Sequence, residues 1–269
     1  MNASPLRRRT AAVALAWLLA ACSSPAPKEP PPPPQPEPQT PIKVEQVTPQ
    51  RRSELHRELG AGYYERGQMD VAIDELNEAV KLDPNNAKAY NTYALVYAVL
   101  GEPQKAEQNF QRALQLSPDD PEIRQNWGFY LCTHGQQKAS LAEFEIAARN
   151  TLYKTPEIPL VNAGRCSASL NEFALAESYF RRALAASPNN EAATLGLAQL
   201  AYRAGRLDEA RRYLRTLRPT TIQPDALYLA MCVERKLGDR PAETSYAAQL
   251  RNRFPEAPET KALATGVCE

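Results

Sequence analysis

The side chains able to do chemistry in this 269-residue chain are few. There are two histidines, His56 and His134, and acid–base catalysis would need either of them beside a nucleophile or a second titrating group. No such constellation is present, nor is an HExxH pair or a phosphate-cradling glycine loop. His56 reads as a packing residue. His134, just before Gly135, reads as a helix C-terminal residue that complements the dipole. Asp74, Glu75 and Glu78 fit a solvated helix face. The expectation is no catalytic residue, no metal, no cofactor and no small-molecule substrate. Five cysteines remain, Cys22, Cys132, Cys166, Cys232 and Cys268, and their chemistry is acylation or disulfide formation. Lys and Arg number 32 against 31 Asp and Glu. They are interspersed rather than gathered in a basic stripe, so a nucleic-acid partner is not expected.

Cys22 stands apart from the other four. Arg7, Arg8 and Arg9 precede an apolar run from Ala11 to Leu19 that ends in small residues, the build of a secretory signal peptide over residues 1–21. A transmembrane helix is the competing reading, but it needs about 20 apolar residues. The boundary Leu19-Ala20-Ala21-Cys22 resembles the bacterial lipobox, which implies that Cys22 is acylated and becomes the N-terminus. Several acyl chains, at about 0.8 kcal/mol per buried methylene, give lasting attachment. Ser23 in place of Asp implies, by analogy with enteric sorting, the periplasmic face of the outer membrane. Residues 22–50 are then a proline-rich tether: the unbroken run from Pro30 to Pro34 can build neither helix nor sheet ladder and favours polyproline II. A proline-rich ligand for a partner domain is the alternative.

From residue 53 the sequence repeats every 34 residues, a period that signals stacked helix pairs. Leu59, Gly60, Tyr63, Gly67, Ala72, Leu76, Ala79 and Pro84 recur as Tyr93, Ala94, Tyr97, Gly101, Ala106, Phe110, Ala113 and Pro118. They recur again as Trp127, Gly128, Leu131, Gly135, Ser140, Phe144 and Ala147, then as Ala163, Gly164, Ala176, Phe180, Ala183 and Pro188. This is the tetratricopeptide pattern. The small residue at position eight lets the paired helices approach, and the large ones fill the space between. Two weaker units keep Leu197, Ala198, Gly205, Ala210 and Leu214, and then Tyr228, Leu237 and Pro255. The expected fold is an all-α tetratricopeptide solenoid of about six helix-turn-helix repeats in a right-handed superhelix over residues 51–256. The repeats lie near 53–86, 87–120, 121–154, 157–190, 191–224 and 225–255, and a tail follows over 257–269. Thr155 and Pro156 are extra, lengthening the linker from Leu152 to Pro159.

That frame places the four remaining cysteines. Cys132 and Cys166 fall on neighbouring first helices, and a bridge there would contribute roughly 3 to 4 kcal/mol in the chain-entropy model; two buried thiols are the alternative. Cys232 and Cys268 are a second candidate pair that would pin the tail. First helices of such repeats line a concave surface, and its inner positions give Tyr64, Asn91, Leu95, Val99, Phe129, Arg165 and Tyr202 as a candidate partner-binding groove. Leu95 and Phe129 stand on adjacent helices, where an apolar side chain facing solvent implies a ligand that covers it. The Lys and Asn clamp that grips a C-terminal carboxylate is absent from these positions.

Three segments go beyond the generic repeat: Asn126-Trp127-Gly128-Phe129-Tyr130-Leu131-Cys132, Asn150-Thr151-Leu152-Tyr153 and Asn162-Ala163-Gly164-Arg165-Cys166. With the lipobox and six repeats they resemble the PilF/PilW family of type IV pilus biogenesis and stability lipoproteins, over nearly the whole chain after the tether. The proline tether and Cys268 depart from that pattern. The resemblance implies a pilotin, an outer-membrane lipoprotein that binds the pilus secretin subunit and promotes its localisation and multimerisation without catalysis. The alternative is a repeat scaffold for another envelope machine, serving outer-membrane protein assembly or adapting peptidoglycan hydrolases. Gene disruption separates them, because loss of twitching and of heat-stable secretin multimers belongs to the pilus role.

Overall fold

A computed structural model describes residues 47–266 and 268. Cys22, the signal peptide and the tether up to residue 46 lie outside the described residues. Among the described residues there are thirteen helices and no strand. Twelve pair in sequence as α1 (Pro49–Glu65) with α2 (Met69–Leu82), α3 (Ala87–Val99) with α4 (Pro103–Leu116), and α5 (Pro121–Thr133) with α6 (Gln137–Arg149). The pairs α7 (Glu157–Ser169) with α8 (Phe173–Ala186), α9 (Glu191–Arg203) with α10 (Leu207–Thr216), and α11 (Pro224–Leu237) with α12 (Arg240–Arg253) follow. Then comes α13 (Pro258–Ala262).

The two helices of a pair start for different reasons. Asn86, Asp120 and Asn190 cap α3, α5 and α9, each side-chain oxygen accepting from a backbone N–H of the first turn at 2.8 to 3.2 Å. Such a cap satisfies donors that the helix leaves unpaired. The second helices have no such cap before α12 and start from a tight left-handed turn instead. Glycine takes that turn in most repeats, but in the fourth it is Asn171, with φ 61°. Asparagine is one of the few residues other than glycine that enter this region at small cost, which is why the fourth repeat turns without a glycine.

Packing within a pair depends on the missing side chain at position eight. A Cβ added to Gly128 would lie 2.8 Å from Phe144 Cε1, and one on Gly164 would lie 2.7 Å from Phe180 Cε1. Phe144 and Phe180 therefore sit almost fully buried against the facing backbone. Phe110, Trp127 and Tyr130 carry the core from the second pair into the third, with ring centroids 5.2 to 5.5 Å apart. Helices α9 to α12 share the largest apolar cluster, centred on Leu227, Met231, Val233 and Leu250.

Several boundaries differ from expectation. Helix α1 begins at Pro49, with Thr48 as its cap, so the ordered helix starts inside the segment read as tether. The long linker runs over residues 150–156 rather than to Pro159. Pro156 ends it, and Pro159 is buried in the first turn of α7, where a missing N–H costs nothing. A second long connection, residues 217–223, was not expected. Leu217 turns extended before Pro219, which excludes its predecessor from helical geometry, and α10 is only 10 residues long as a result. The segment expected as a plain tail contains α13, packed on α11 and α12.

Two disulfides are closed. Cys132 of α5 and Cys166 of α7 have Cα atoms 6.0 Å apart, and Cys232 of α11 and Cys268 have theirs 5.6 Å apart. The first joins two consecutive first helices; the second holds the C-terminal residues on the last pair.

Candidate functional site

The first helices α1, α3, α5, α7, α9 and α11 pack in sequence, each touching the next first helix along the row. Their inner side chains fall into two regions of different chemistry. On α3 and α5 the residues are apolar and open: Val99 is 58 % exposed and Phe129 is 50 % exposed. Solvent-facing apolar side chains on two adjacent helices are the kind of surface that a partner covers. Leu95 is half-buried and packs against the cluster of Ala94, Ala106, Phe110 and Tyr130, so it supports this surface more than it forms it. Tyr64 on α1 is half-buried, and burial raises the pKa of its phenol.

Asn91 does not belong to the open surface, which corrects its place among the groove residues. It is buried, and its Oδ1 accepts from Asn126 Nδ2 at 3.4 Å. A polar side chain at that depth needs a partner to offset desolvation, and the helix that supplies it starts one repeat later.

The second region lies on α7, α9 and α11, where a groove of about 850 Å³ opens. Arg165 is exposed on its wall. Tyr202 lines it but is only 5 % exposed; its hydroxyl donates to the Cys268 carbonyl at 3.1 Å, and Lys236 Nζ lies 4.2 Å from its ring centroid. Arg203 lies over the Phe173 ring at 5.1 Å. Neither Arg203 nor Lys236 was among the candidates, although both occupy inner positions of the repeat. The signal was the same position rule that singled out Tyr202.

Elsewhere arginines join the pairs electrostatically. Arg182 of α8 binds Glu145 of α6, and this bond is the chief reason the Glu145 carboxyl sits below its ordinary pKa. Arg181 and Arg206 do the same for Glu177, Arg181 more strongly. Glu234, almost fully buried on α11, is held by Arg211 of α10. Burial of an unpaired carboxylate would be costly, and the bidentate guanidinium offsets it.

The histidines are tied into the scaffold. His56 Nδ1 and Glu75 Oε2 are 2.7 Å apart, linking α1 to α2. His134 caps α5, its Nδ1 2.8 Å from the Tyr130 carbonyl oxygen and its ring stacked on Tyr130. Among the described residues no group of three or more His, Cys, Asp or Glu is placed to hold a metal ion, and no helix is long and apolar enough to cross a membrane.

Known proteins share both the sequence pattern and the architecture. Tetratricopeptide-repeat family profiles match residues 60–101, 87–120 and 168–232. The chain is 26 % identical over 218 residues to the type IV pilus assembly protein PilF of Pseudomonas aeruginosa, covering 81 % of this chain and 86 % of that one. The crystal structure of PilW, a widely conserved type IV pilus biogenesis factor, superposes with a TM-score of 0.71 at 33 % identity, covering 79 % of this chain and 98 % of PilW. The solved structure of Pseudomonas aeruginosa PilF agrees in fold, with a TM-score of 0.71 at 24 % identity over 81 % of this chain and 99 % of that one.

Proposed function

Because the chain belongs to the PilF/PilW family of tetratricopeptide-repeat proteins of type IV pilus biogenesis, we propose that it is a scaffold for the pilus secretin. In this reading it binds a secretin subunit on the inner face of its N-terminal repeats and promotes assembly of the multimeric pore. Acyl chains on Cys22 attach it to the periplasmic face of the outer membrane, and the proline-rich segment after Cys22 lets the bound subunit stand away from the bilayer.

The observation that carries the reading is the pair of open apolar side chains, Val99 at 58 % and Phe129 at 50 % exposure, on adjacent inner helices. A protein that buried no partner there would gain nothing from placing them in water. An amphipathic or extended segment that lays apolar side chains over them gains roughly 25 cal/mol for each Å² removed from solvent. No bond is made or broken in this activity, and the protein's contribution is position.

The test has two arms in the native host. Cys22→Ala should leave the repeats folded but move the protein to the soluble fraction, with fewer heat-stable secretin multimers. Phe129→Glu combined with Val99→Glu should keep the protein at the membrane while secretin no longer co-purifies with it. Unchanged fractionation of the first variant defeats the anchor, and undiminished secretin capture by the second defeats the binding surface.

A further inference from the structure

We propose that the groove on α7, α9 and α11 is a second docking surface, separate from the Val99 and Phe129 surface, and that it takes an extended acidic polypeptide segment. The inference goes beyond the secretin reading and rests on charge, shape and a contact already made there.

Charge comes first. Arg165, Arg203 and Lys236, one from each of the three helices, line the groove and are exposed. None of the three has a carboxylate partner within the described residues. Arg203 and Lys236 instead lie over the rings of Phe173 and Tyr202. That contrasts with Arg182 of α8, Arg211 of α10 and Arg218 of the connection after it, each of which holds a glutamate. Two carboxylates also line the groove, Asp225 and Glu259. Asp225 is in the first turn of α11, eleven residues from Lys236, or about 16 Å along the axis at about 1.5 Å per residue. Lys236 and Asp225 therefore stand at opposite ends of α11, and acidic side chains are drawn to the edge that holds the C-terminal halves of the first helices, with Arg165, Arg203 and Lys236.

Shape and composition agree with a polypeptide. About 850 Å³ of space runs over Leu200, Leu229 and the edge of Phe180, an apolar floor between polar walls that suits alternating side chains. The end of the groove already holds backbone: Tyr202 donates to the Cys268 carbonyl at 3.1 Å, and Arg235 Nη1 donates to the Gly266 carbonyl at 2.7 Å. The bridge between Cys232 and Cys268 fixes that backbone beside Tyr202, whose ring also carries Lys236, while Arg165 and Arg203 stand on the other two helices.

Fluorescence anisotropy on the full oxidised chain tests this. The probe is a labelled, acetylated and amidated peptide alternating glutamate with leucine, and the control alternates lysine with leucine. The acidic peptide should bind at least about tenfold more tightly than the basic one and weaken steeply with added salt. Arg165→Glu with Lys236→Glu should weaken acidic binding by about tenfold or more, and the milder Arg165→Gln with Lys236→Gln by less. Both side chains are solvent-facing, so an unchanged thermal midpoint separates lost binding from lost fold. Phe129→Glu should leave the acidic peptide bound while secretin capture falls, so the two surfaces fail separately. Equal affinity for the two peptides, acidic binding that survives the double reversal, or saturable self-association in place of peptide binding overturns the proposal.

Discussion

At Gly164 a single added carbon decides whether the fourth helix pair closes. Its Cβ would stand 2.7 Å from Phe180, a ring also confined by Gly196 on the next helix, where a Cβ would come to 2.4 Å. Phe180 is held between these two backbones and is only 2 % exposed. Gly164→Ala should therefore destabilise the chain by about 1 to 3 kcal/mol through overpacking, read as a lower denaturant midpoint with an unchanged slope. The cysteines act at the same scale. Mass spectrometry of the unreduced protein should find the two bridges, and four alkylatable thiols would contradict them. Replacing Cys132 and Cys166 by serine should cost about 4 kcal/mol on the chain-entropy account of a 34-residue separation. Charge adds a pH dependence with a definite sign. Arg182 holds the Glu145 carboxyl below its ordinary 4.5, and Arg181 does so for Glu177. Carboxyls depressed in the folded state contribute stability that is fully present above the unfolded value and is lost as pH falls through the folded one. Arg182→Ala should accordingly flatten the fall of the thermal midpoint on the acid side of 4.5 and change its pH dependence little near neutrality. The repeat residues were legible at this scale because glycine and phenylalanine recur at fixed positions. Asn91 was not, because its depth is set by Asn126 on another helix, and no pattern within one repeat carries that contact.

The elements follow the same division between what is periodic and what is imposed. Four pairs announced themselves through the period of 34, and the fifth and sixth through fewer residues. Helix α10 is only 10 residues long because the chain turns extended at Leu217, ahead of Pro219. Arg253 of α12 then secures the connection by donating to the carbonyls of Pro219 and Thr220. Helix α13 had no readable signal: five residues cannot sustain a helix alone, and it exists through its packing on α11 and α12. In a row of pairs each unit leans chiefly on its neighbours, so damage should stay local. Phe144→Ala, which empties the space between α5 and α6, should cost about 3 to 5 kcal/mol. Hydrogen exchange should then quicken in α5 to α8 well before it does in α1 and α2, and uniform loss of protection would contradict the nearest-neighbour picture.

For the whole molecule, family membership and geometry point to one kind of activity. A row of helix pairs presents a long inner face, and here that face is apolar toward its N-terminal half and cationic toward its C-terminal half. The fold and its class were legible in the sequence because they rest on many repeated residues. The working surface was legible only in part: Phe129 and Val99 are open as their positions implied, whereas Tyr202 turned inward to meet the Cys268 carbonyl and the groove's other cations went unread. The central claim is that the open apolar patch on α3 and α5 grips the pilus secretin. Co-purification of secretin with the chain from host envelopes, comparing the native protein with the Val99→Glu and Phe129→Glu double variant, tests it most directly. The account predicts that the native chain retains secretin and that the variant, folded and still at the membrane, loses at least about nine-tenths of it, a gap of about 1.4 kcal/mol in affinity. Equal recovery by the two proteins would contradict it.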